Sequence, residues 1–263
     1  MYNVDMNILD RYYEKFDEEK RLGRRHGQVE FFVTITYLKK YLSQFQNPKI
    51  ADIGAGTGAY SVPLAAEGFD VTAIEVVESN LAKLRAKQAN VKTYLGDATE
   101  LSMLNDNTFD IVLLLGPMYH LNTKQQKVKA LLEAKRIAKN DGVILVAYYM
   151  NDYAILKHGF IDGNIAQALL SNQINANFHV LPKKDDIYTF DRLDDINQYN
   201  HEAKLERLTI FAPDGASDYI RDTLNKMDDA TFEIFKQYQL SVCERMDMLG
   251  ASSHLVDVLK VKK

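Results

Sequence analysis

The sequence predicts an α/β fold built on a mostly parallel sheet of seven strands. Over residues 49–150, short apolar segments alternate with helical segments, which is the pattern of strands joined by crossover helices. A glycine-rich turn, Gly54-Ala55-Gly56-Thr57-Gly58, directly follows the first apolar segment. The alternation stops at residue 151 and resumes near residue 196, which indicates an insertion into the fold.

Two helices are predicted before the first strand, over residues 7–19 and about 28–45. The second carries one apolar stripe, at Phe31, Ile35, Leu38, Leu42 and Phe45. This stripe indicates a helix that covers one face of the sheet. The aromatic residues of the first helix, Tyr12, Tyr13 and Phe16, either cover the sheet as well or close over a ligand pocket.

Four segments of the chain are predicted from this pattern. Residues 1–46 form a helical cap, 47–150 the core, 151–195 an inserted lid, and 196–263 the rest of the sheet. Core strands are expected at residues 50–53, 69–74, 91–95, 109–115 and 143–148, with helices at 59–67, 79–89 and 123–139 and an exit turn at 140–142. Later elements are expected as helices at 194–204, 216–227 and 229–245 and strands at 205–211 and 255–261.

The glycine turn joins a strand to a helix, which is the geometry that brings backbone close to a nucleotide-like ligand. Glycine removes the Cβ that would block the ligand or forbid the turn. Glu75 ends the second strand, where a carboxylate can accept both hydroxyls of a ribose. Asp97 follows the third strand and either contacts the ligand or caps a short helix at residues 99–104.

The chain resembles the class I S-adenosylmethionine (SAM)-dependent methyltransferases. The resemblance rests on the Asp52–Gly58 stretch, Glu75, Gly96-Asp97-Ala98, and the fourth strand running into Gly116-Pro117-Met118-Tyr119. It implies a Rossmann-like fold with an antiparallel C-terminal hairpin and an inserted substrate lid. It also implies SAM as cofactor, with S-adenosylhomocysteine as its product. The implied cofactor-binding residues are Asp52, Gly54, Ala55, Gly56, Gly58, Glu75, Val76, Asp97, Ala98, Leu115 and Gly116.

An NAD(P)-binding domain is the nearest alternative, because Gly54-x-Gly56-x-x-Ala59 also fits the dinucleotide fingerprint. Asp52 argues against it, since that fingerprint usually has an apolar residue there. Asp97 argues against it too, because a carboxylate has no role in binding a pyrophosphate. In the resembled family the equivalent carboxylate reads the adenine amino group.

His120 is the candidate general base, because it follows the fourth strand, where substrate and cofactor meet in open α/β sheets. Its alternative role is that of a hydrogen-bonded structural histidine. Tyr119 is a second catalytic candidate, and Tyr12, Tyr13, Phe16 and Tyr148 are candidate substrate contacts. The family's amino-group enzymes acting on bases or glutamine have a polar residue at the position of Gly116, so a small-molecule acceptor is favoured.

The composition limits the alternatives. The 263 residues carry a formal net charge of −4, with no long basic run, so a large nucleic-acid footprint is not indicated. Cys243 is the one cysteine, and no cluster of histidine, cysteine and carboxylate residues has metal-ligand spacing. We expect no metal, no membrane span and a cytoplasmic monomer or homodimer.

The sequence therefore predicts a SAM-dependent methyltransferase acting on nitrogen or oxygen of a small molecule. A tRNA or protein methyltransferase remains an alternative, and a basic patch beside the pocket would favour it. A SAM-binding sensor without turnover is another, and a pocket sealed from any acceptor would favour it.

Overall fold

The computed structural model describes residues 6–15, 23–183 and 186–261. Its helices are α1 (Met6–Lys15), α2 (Arg25–Leu42), α3 (Ser61–Ala66), α4 (Glu78–Ala86), α5 (Lys124–Ile137), α6 (Asn151–Ala154), α7 (Ile165–Leu170), α8 (Leu193–Ala203), α9 (Arg221–Lys226) and α10 (Asp229–Val242). Its strands are β1 (Lys49–Ile53), β2 (Asp70–Glu75), β3 (Val91–Leu95), β4 (Phe109–Leu114), β5 (Ala138–Tyr149), β6 (Leu205–Phe211) and β7 (His254–Val261).

The seven strands form one sheet in the order β3-β2-β1-β4-β5-β7-β6. The pairs from β3 to β5 are parallel, and β7 runs antiparallel to both β5 and β6. This confirms the predicted Rossmann-like sheet with its antiparallel C-terminal pair. Strand order reverses between β1 and β4, so the crevice for a ligand is expected beyond the carboxyl ends of these two strands.

Helices cover both faces of the sheet, which explains why β4 is buried throughout and is apolar at every position except Asp110. One apolar cluster joins the sheet to α5 and α8, through residues such as Leu131 and Ile196. A second cluster joins it to α2 and α3, through residues such as Leu38 and Leu64. Cys243 is buried in the second cluster, where it packs as a small hydrophobic residue.

Three predicted local elements differ from the structure. Residues 140–142 lie within β5, as a bulge between the pairs Phe109–Ala138 and Ile111–Val143, rather than in a turn before the strand. Residues 99–104 form turns instead of a helix, and the Asp97 carboxylate accepts the Thr99 N–H at 2.7 Å. Within 216–227 only α9 is helical, because turns occupy residues 215–220.

The insertion after β5 contains α6, a π-helical segment (Ile155–Ile161) and α7, and its described residues add no strand to the main sheet. Its end returns to the core through Asp191. The backbone of Asp191 exchanges hydrogen bonds with Tyr149 and Asn151, at 2.8 and 2.9 Å. This return places residues 187–190 beside the carboxyl edge of the sheet.

Candidate active site

A first cavity opens at the carboxyl ends of β1, β2 and β4, where the strand order reverses. Its floor is the glycine turn, and its sides come from the segments that follow β2, β3 and β4. It brings together most of the predicted cofactor-binding residues: Asp52, Gly54, Ala55, Gly56, Glu75, Val76, Asp97, Ala98, Leu115 and Gly116. Sequence reasoning missed other lining residues, including Leu9, Thr57, Tyr60, Asn80 and Leu121.

The glycines of the turn have different roles. A Cβ on Gly54 would lie 2.7 Å from the Pro117 ring, so this glycine lets the loops after β1 and β4 touch. Gly56 has a φ of +56° and no atom within 4 Å of its Cβ position, so it borders open cavity. Gly58 does not line the cavity. A Cβ there would lie 2.4 Å from Leu84, so we correct its predicted ligand role to packing of the turn on α4.

Glu75 ties the glycine turn to the end of β2. It is 5% exposed, and its two carboxylate oxygens accept the N–H groups of Gly56 at 2.7 Å and Val77 at 2.8 Å. Burial raises the pKa of Glu75, and the backbone hydrogen bonds oppose that shift. Asp97 combines the two predicted roles, because it lines the cavity and also caps the turn at Thr99.

Asp52 is a buried carboxylate beneath the turn. It is 2% exposed and accepts the Ser61 hydroxyl at 2.6 Å, which anchors β1 to α3. Burial raises the pKa of Asp52 to about 6, although the hydrogen bonds of Ser61 act in the opposite direction. The chain therefore keeps a costly negative charge in the cavity at neutral pH.

Asp52→Asn is expected to stabilise the ligand-free protein at pH 7. The Asp52 carboxyl group binds its proton more tightly in the folded protein than in the unfolded chain, where the pKa of an aspartate is about 3.9. The free energy of unfolding therefore falls as pH rises from about 4 to about 7, by up to about 3 kcal/mol for this group. Urea unfolding of both proteins from pH 4 to 8 measures this difference. If the difference in the free energy of unfolding between the two proteins is the same from pH 4 to 8, this prediction is wrong.

A second cavity adjoins the first and shares Tyr13, Glu30 and Tyr119 with it. Its walls are largely aromatic, formed by Tyr12, Tyr13, Tyr119, Tyr149, Tyr153, Tyr188 and Phe190. Polar residues also line it, including Asp214, Ser217, Asp218 and His254. The two cavities are therefore adjacent, and the second is a tyrosine-lined chamber beyond the glycine turn.

Helix α1 closes part of both cavities. Leu9 and Tyr13 line the first, and Tyr12 and Tyr13 line the second. Tyr12 accepts a hydrogen bond from the Tyr188 hydroxyl at 2.9 Å, which joins α1 to the end of the insertion. Phe16, the third predicted aromatic contact, lies outside the described residues.

His120 lines the first cavity and is engaged at both ring nitrogens. Its Nδ1 lies 2.7 Å from the Ile187 carbonyl oxygen, which can only accept, so Nδ1 carries the proton. Nε2 then accepts from the Tyr13 hydroxyl at 2.8 Å. Burial lowers the pKa of His120 to about 4, so the ring is neutral at physiological pH. These contacts support the structural alternative for His120, since it joins α1 to the insertion.

Tyr119 lines both cavities, and its hydroxyl donates to the Leu115 carbonyl at 3.2 Å. Tyr148 is fully buried in the apolar cluster beside Tyr199 and lines neither cavity. Tyr149 lines the second cavity instead. We therefore correct the predicted contact from Tyr148 to Tyr149, because neighbouring residues of a strand point to opposite faces.

The second cavity brings together Glu30, Asp214 and His254. A carboxylate oxygen of each acidic residue and a ring nitrogen of the histidine, atoms of the kind that bind metal ions, lie within 4.8 Å of one another. They come from α2, the turn after β6 and the start of β7. No motif joins positions so far apart in the chain, so sequence reasoning missed them.

Comparisons with known proteins agree with this architecture. A family model described as a methyltransferase domain matches residues 51–146. Ubiquinone biosynthesis O-methyltransferase of Rickettsia felis is 30% identical over 135 residues, which are 48% of this chain and 55% of that protein. The enzyme of the same name from Rickettsia canadensis is 26% identical over 187 residues, covering 68% of this chain and 76% of that protein.

The chain thus spans about half the length of the curated relatives it matches. Its match to the R. canadensis protein is longer and covers 76% of that protein. Among solved structures, the CcbJ methyltransferase of Streptomyces caelestis superposes over both whole chains with a TM-score of 0.60 and 17% identity. At that identity the likeness concerns the fold. No helix in the described part of the chain is both long and apolar enough to cross a membrane.

Proposed function

We propose that this chain, which belongs to the class I SAM-dependent methyltransferase family, transfers a methyl group to nitrogen or oxygen of a small-molecule acceptor. One observation carries the proposal: the cavity at the glycine turn adjoins a second cavity, and the two share the lining residues Tyr13, Glu30 and Tyr119. A cofactor in the first cavity and an acceptor in the second would therefore meet at these three residues.

The residues that line the first cavity suit SAM. Open space at Gly56 lets a ligand approach the turn, and apolar residues such as Val76 and Leu115 line the sides. Asp52 and Glu75 supply carboxylates that suit a ligand with a sulfonium and an ammonium group. In this proposal Glu75 accepts the ribose hydroxyls, Asp97 the adenine amino group, and Asp52 faces the methionine ammonium.

Bound SAM supplies a methyl group activated by its sulfonium. The protein's task is to position the acceptor in line with that methyl group and to exclude water. Tyr13 and Tyr119 would hold the acceptor where the two cavities meet. His120, neutral and engaged at both ring nitrogens, would keep Tyr13 in place.

A small molecule suits the second cavity better than a nucleic acid. It is lined by charges of both signs: Arg221 pairs with Asp218 at 2.8 Å, and His26 lies 3.9 Å from the same carboxyl group. This mixed charge does not favour tRNA. The second cavity also offers room for an acceptor, which counts against a sensor without turnover. The relatives' names favour oxygen as the methylated atom.

Isotope-labelled SAM tests the function directly. The protein is incubated with SAM carrying a labelled methyl group and separate pools of phenols, aliphatic alcohols, amines, tRNA and protein. We expect label in at least one small-molecule pool, with formation of S-adenosylhomocysteine. Transfer only to tRNA or protein would contradict the proposal, and binding of SAM without transfer to any pool would favour the sensor.

Glu75→Ala is expected to weaken SAM binding by about 1.5–3 kcal/mol, the range for hydrogen bonds to a charged group. The variant loses the carboxylate that also holds the Gly56 and Val77 amides. Calorimetric titration with SAM measures the loss. Glu78→Ala is the matched control, since Glu78 begins α4 and lies on the surface. Equal affinity of the two variants would contradict the ribose role.

We further propose that α1 and the 151–195 insertion form a lid over the site. The hydrogen bond between Tyr12 and Tyr188 joins these segments directly. His120 joins them indirectly, through its contacts with Tyr13 and the Ile187 carbonyl. Methyl transfer benefits from exclusion of water, whereas cofactor exchange requires an opening.

Hydrogen exchange should therefore show α1 amides more protected after S-adenosylhomocysteine is added. The strand residues 143–148 should change little, because they are buried in the sheet with or without ligand. If the α1 amides are equally protected without ligand, α1 is a fixed cover and the lid proposal is wrong.

A further inference from the structure

Three side chains from three separate elements converge at one wall of the second cavity. Glu30 comes from α2, Asp214 from the turn after β6, and His254 from the start of β7. The Nδ1 atom of His254 lies 2.7 Å from a carboxylate oxygen of Asp214 and 4.0 Å from one of Glu30. One imidazole nitrogen and two carboxylate oxygens, the donor types that divalent metal ions take from proteins, therefore face one another.

The separations of these atoms suit a metal ion. Zinc binds histidine nitrogen and carboxylate oxygen at about 2.0–2.2 Å, so two ligands of a tetrahedral site lie about 3.4 Å apart. The separations of 2.7 and 4.0 Å differ from this value by roughly 0.6–0.7 Å in opposite directions. A small rotation of the imidazole and of the Glu30 side chain would equalise them. The ion would replace the Nδ1 proton, and the neutral imidazole would keep its proton on Nε2.

Other residues hold two of the three ligands in place. Asp214 is 3% exposed and accepts the hydroxyls of Ser252, at 2.6 Å, and Ser253. The backbone N–H of His254 donates to the same carboxylate at 3.1 Å. The imidazole stacks on the Tyr149 ring, with centroids 4.9 Å apart and planes 9° from parallel. Hydrogen bonds of this kind orient the ligands of metal sites before the ion binds.

A second observation at the same wall points to a polar ligand. Ser217 lines the cavity and is fully buried, and its hydroxyl has no hydrogen-bond partner among the described residues. Its backbone N–H donates to the Asp214 carbonyl oxygen at 2.9 Å, so both residues belong to one turn. A buried hydroxyl without a partner is unfavourable, and a water molecule bound to an ion at this wall would provide one.

We propose that Glu30, Asp214 and His254 bind a divalent transition-metal ion, and that Zn²⁺ is the ion that suits them best. A mixed imidazole and carboxylate set favours zinc over Mg²⁺ and Ca²⁺, which prefer oxygen ligands alone. Such a site goes beyond the proposed methyl transfer, and its affinity for metal does not depend on that function. The expectation of no metal rested on spacing along the chain, whereas these ligands come from distant positions.

The ion would join α2 to the sheet. Glu30 is the ligand from α2, whereas Asp214 and His254 flank the antiparallel pair of β6 and β7. Glu30 also lines the first cavity, so the ion would fix a residue that both cavities share. Three protein ligands leave a coordination position for water or for an oxygen atom of a small molecule in the second cavity. Because only the folded chain brings the ligands together, zinc is expected to stabilise it.

Titration with zinc tests the site directly. The full chain, without an affinity tag, is treated with EDTA, dialysed into metal-free buffer and titrated with zinc chloride in a calorimeter, in the absence of SAM and acceptor. We expect one site with a Kd of about 1 μM or lower, and a higher melting temperature in the presence of zinc. No stoichiometric binding at zinc concentrations up to about 100 μM would overturn the proposal.

Variants of the ligands show where the zinc binds. Glu30→Gln and His254→Gln should each weaken binding by at least about 100-fold and remove the rise in melting temperature, since each loses one of three ligands. The chain has six histidines, so zinc could bind elsewhere. Binding that neither variant weakens would assign the zinc to other side chains and would overturn the proposal. Urea unfolding without metal checks that each variant is folded.

Two further variants separate this cluster from its surroundings. Asp162→Asn is the matched control, because Asp162 lies 3.2 Å from His158 Nδ1 in a solvent-accessible histidine–carboxylate pair outside the cluster. It should leave zinc affinity unchanged. Ser252→Ala removes a hydrogen bond to Asp214 without removing a ligand, so it should weaken binding by about 10-fold. If Asp162→Asn weakens binding as much as His254→Gln does, zinc binds to the wrong pair and the proposal fails.

Cobalt chloride provides a spectroscopic readout of the same site. Co²⁺ held by nitrogen and oxygen ligands in a tetrahedral site absorbs visible light more strongly than aqueous Co²⁺. We expect this absorption in the wild-type protein and in Asp162→Asn, and its loss in folded His254→Gln. An identical spectrum in His254→Gln would overturn the proposal.

These measurements distinguish failure of the metal site from failure of the proposed function. They use neither SAM nor an acceptor, so a protein that does not bind zinc loses the metal site and leaves the proposed methyl transfer intact. A protein that binds zinc at these three residues but transfers no label from SAM retains the metal site and loses the proposed function.

Discussion

Gly56→Val is expected to abolish SAM binding. Gly56 has a φ of +56°, and the space at its Cβ position is open cavity where the ligand must approach the turn. A branched side chain would occupy that space, and its left-handed backbone conformation would cost about 1–2 kcal/mol of stability. We expect affinity to fall by at least about 100-fold, which corresponds to about 3 kcal/mol. Calorimetric titration with SAM and with S-adenosylhomocysteine measures the loss.

Gly68→Val is the matched control for this prediction. Gly68 also has a positive φ, +95°, and no atom within 4 Å of its Cβ position, but it lies after α3 and lines neither cavity. It should cost a similar amount of stability and leave SAM affinity unchanged. Normal SAM binding by Gly56→Val would mean that the ligand does not approach the turn. A matching loss of affinity in Gly68→Val would mean that backbone strain alone causes it.

Asp191→Ala is expected to destabilise the protein by about 3–5 kcal/mol, the cost of breaking a buried ion pair by removing one partner. Lys127 donates to Asp191, and each side chain is 3% exposed. The Tyr199 hydroxyl donates to the same carboxylate at 2.8 Å. Burial lowers the pKa of Lys127 while the charge of Asp191 raises it, so the variant leaves an amine buried without its counter-charge. Urea unfolding measures the effect.

Glu67→Ala provides the comparison, because Glu67 pairs with Lys39 at 2.7 Å with both side chains nearly half exposed. Water and salt screen such a pair, so its loss should cost at most about 1 kcal/mol. The double variant Lys127→Met/Asp191→Leu should recover much of the stability, since it leaves no buried charge. If Asp191→Ala lowers the free energy of unfolding by no more than Glu67→Ala does, the assignment of a buried ion pair is wrong.

The first cavity was largely predictable because its residues follow strands that are close in the chain. An apolar strand, a glycine turn and a helix are local patterns, and parallel strands place their carboxyl ends at one edge. Asp52, Gly56, Glu75 and Asp97 were therefore found from sequence. Gly58 was assigned to the ligand for the same reason, although only the position of Leu84 shows that it serves packing.

By itself, the sequence determined the seven segments that form the strands of the α/β sheet, because periodicity and turn chemistry act over a few residues. The antiparallel C-terminal pair was implied by the family resemblance. Only the tertiary structure decided which tyrosine, 148 or 149, reaches the second cavity, because a shift of one residue on a strand reverses the face. It also brought Glu30, Asp214 and His254 together across more than 200 positions. Such contacts arise when α2 packs on the sheet and β7 pairs antiparallel to β5, and no local pattern encodes them.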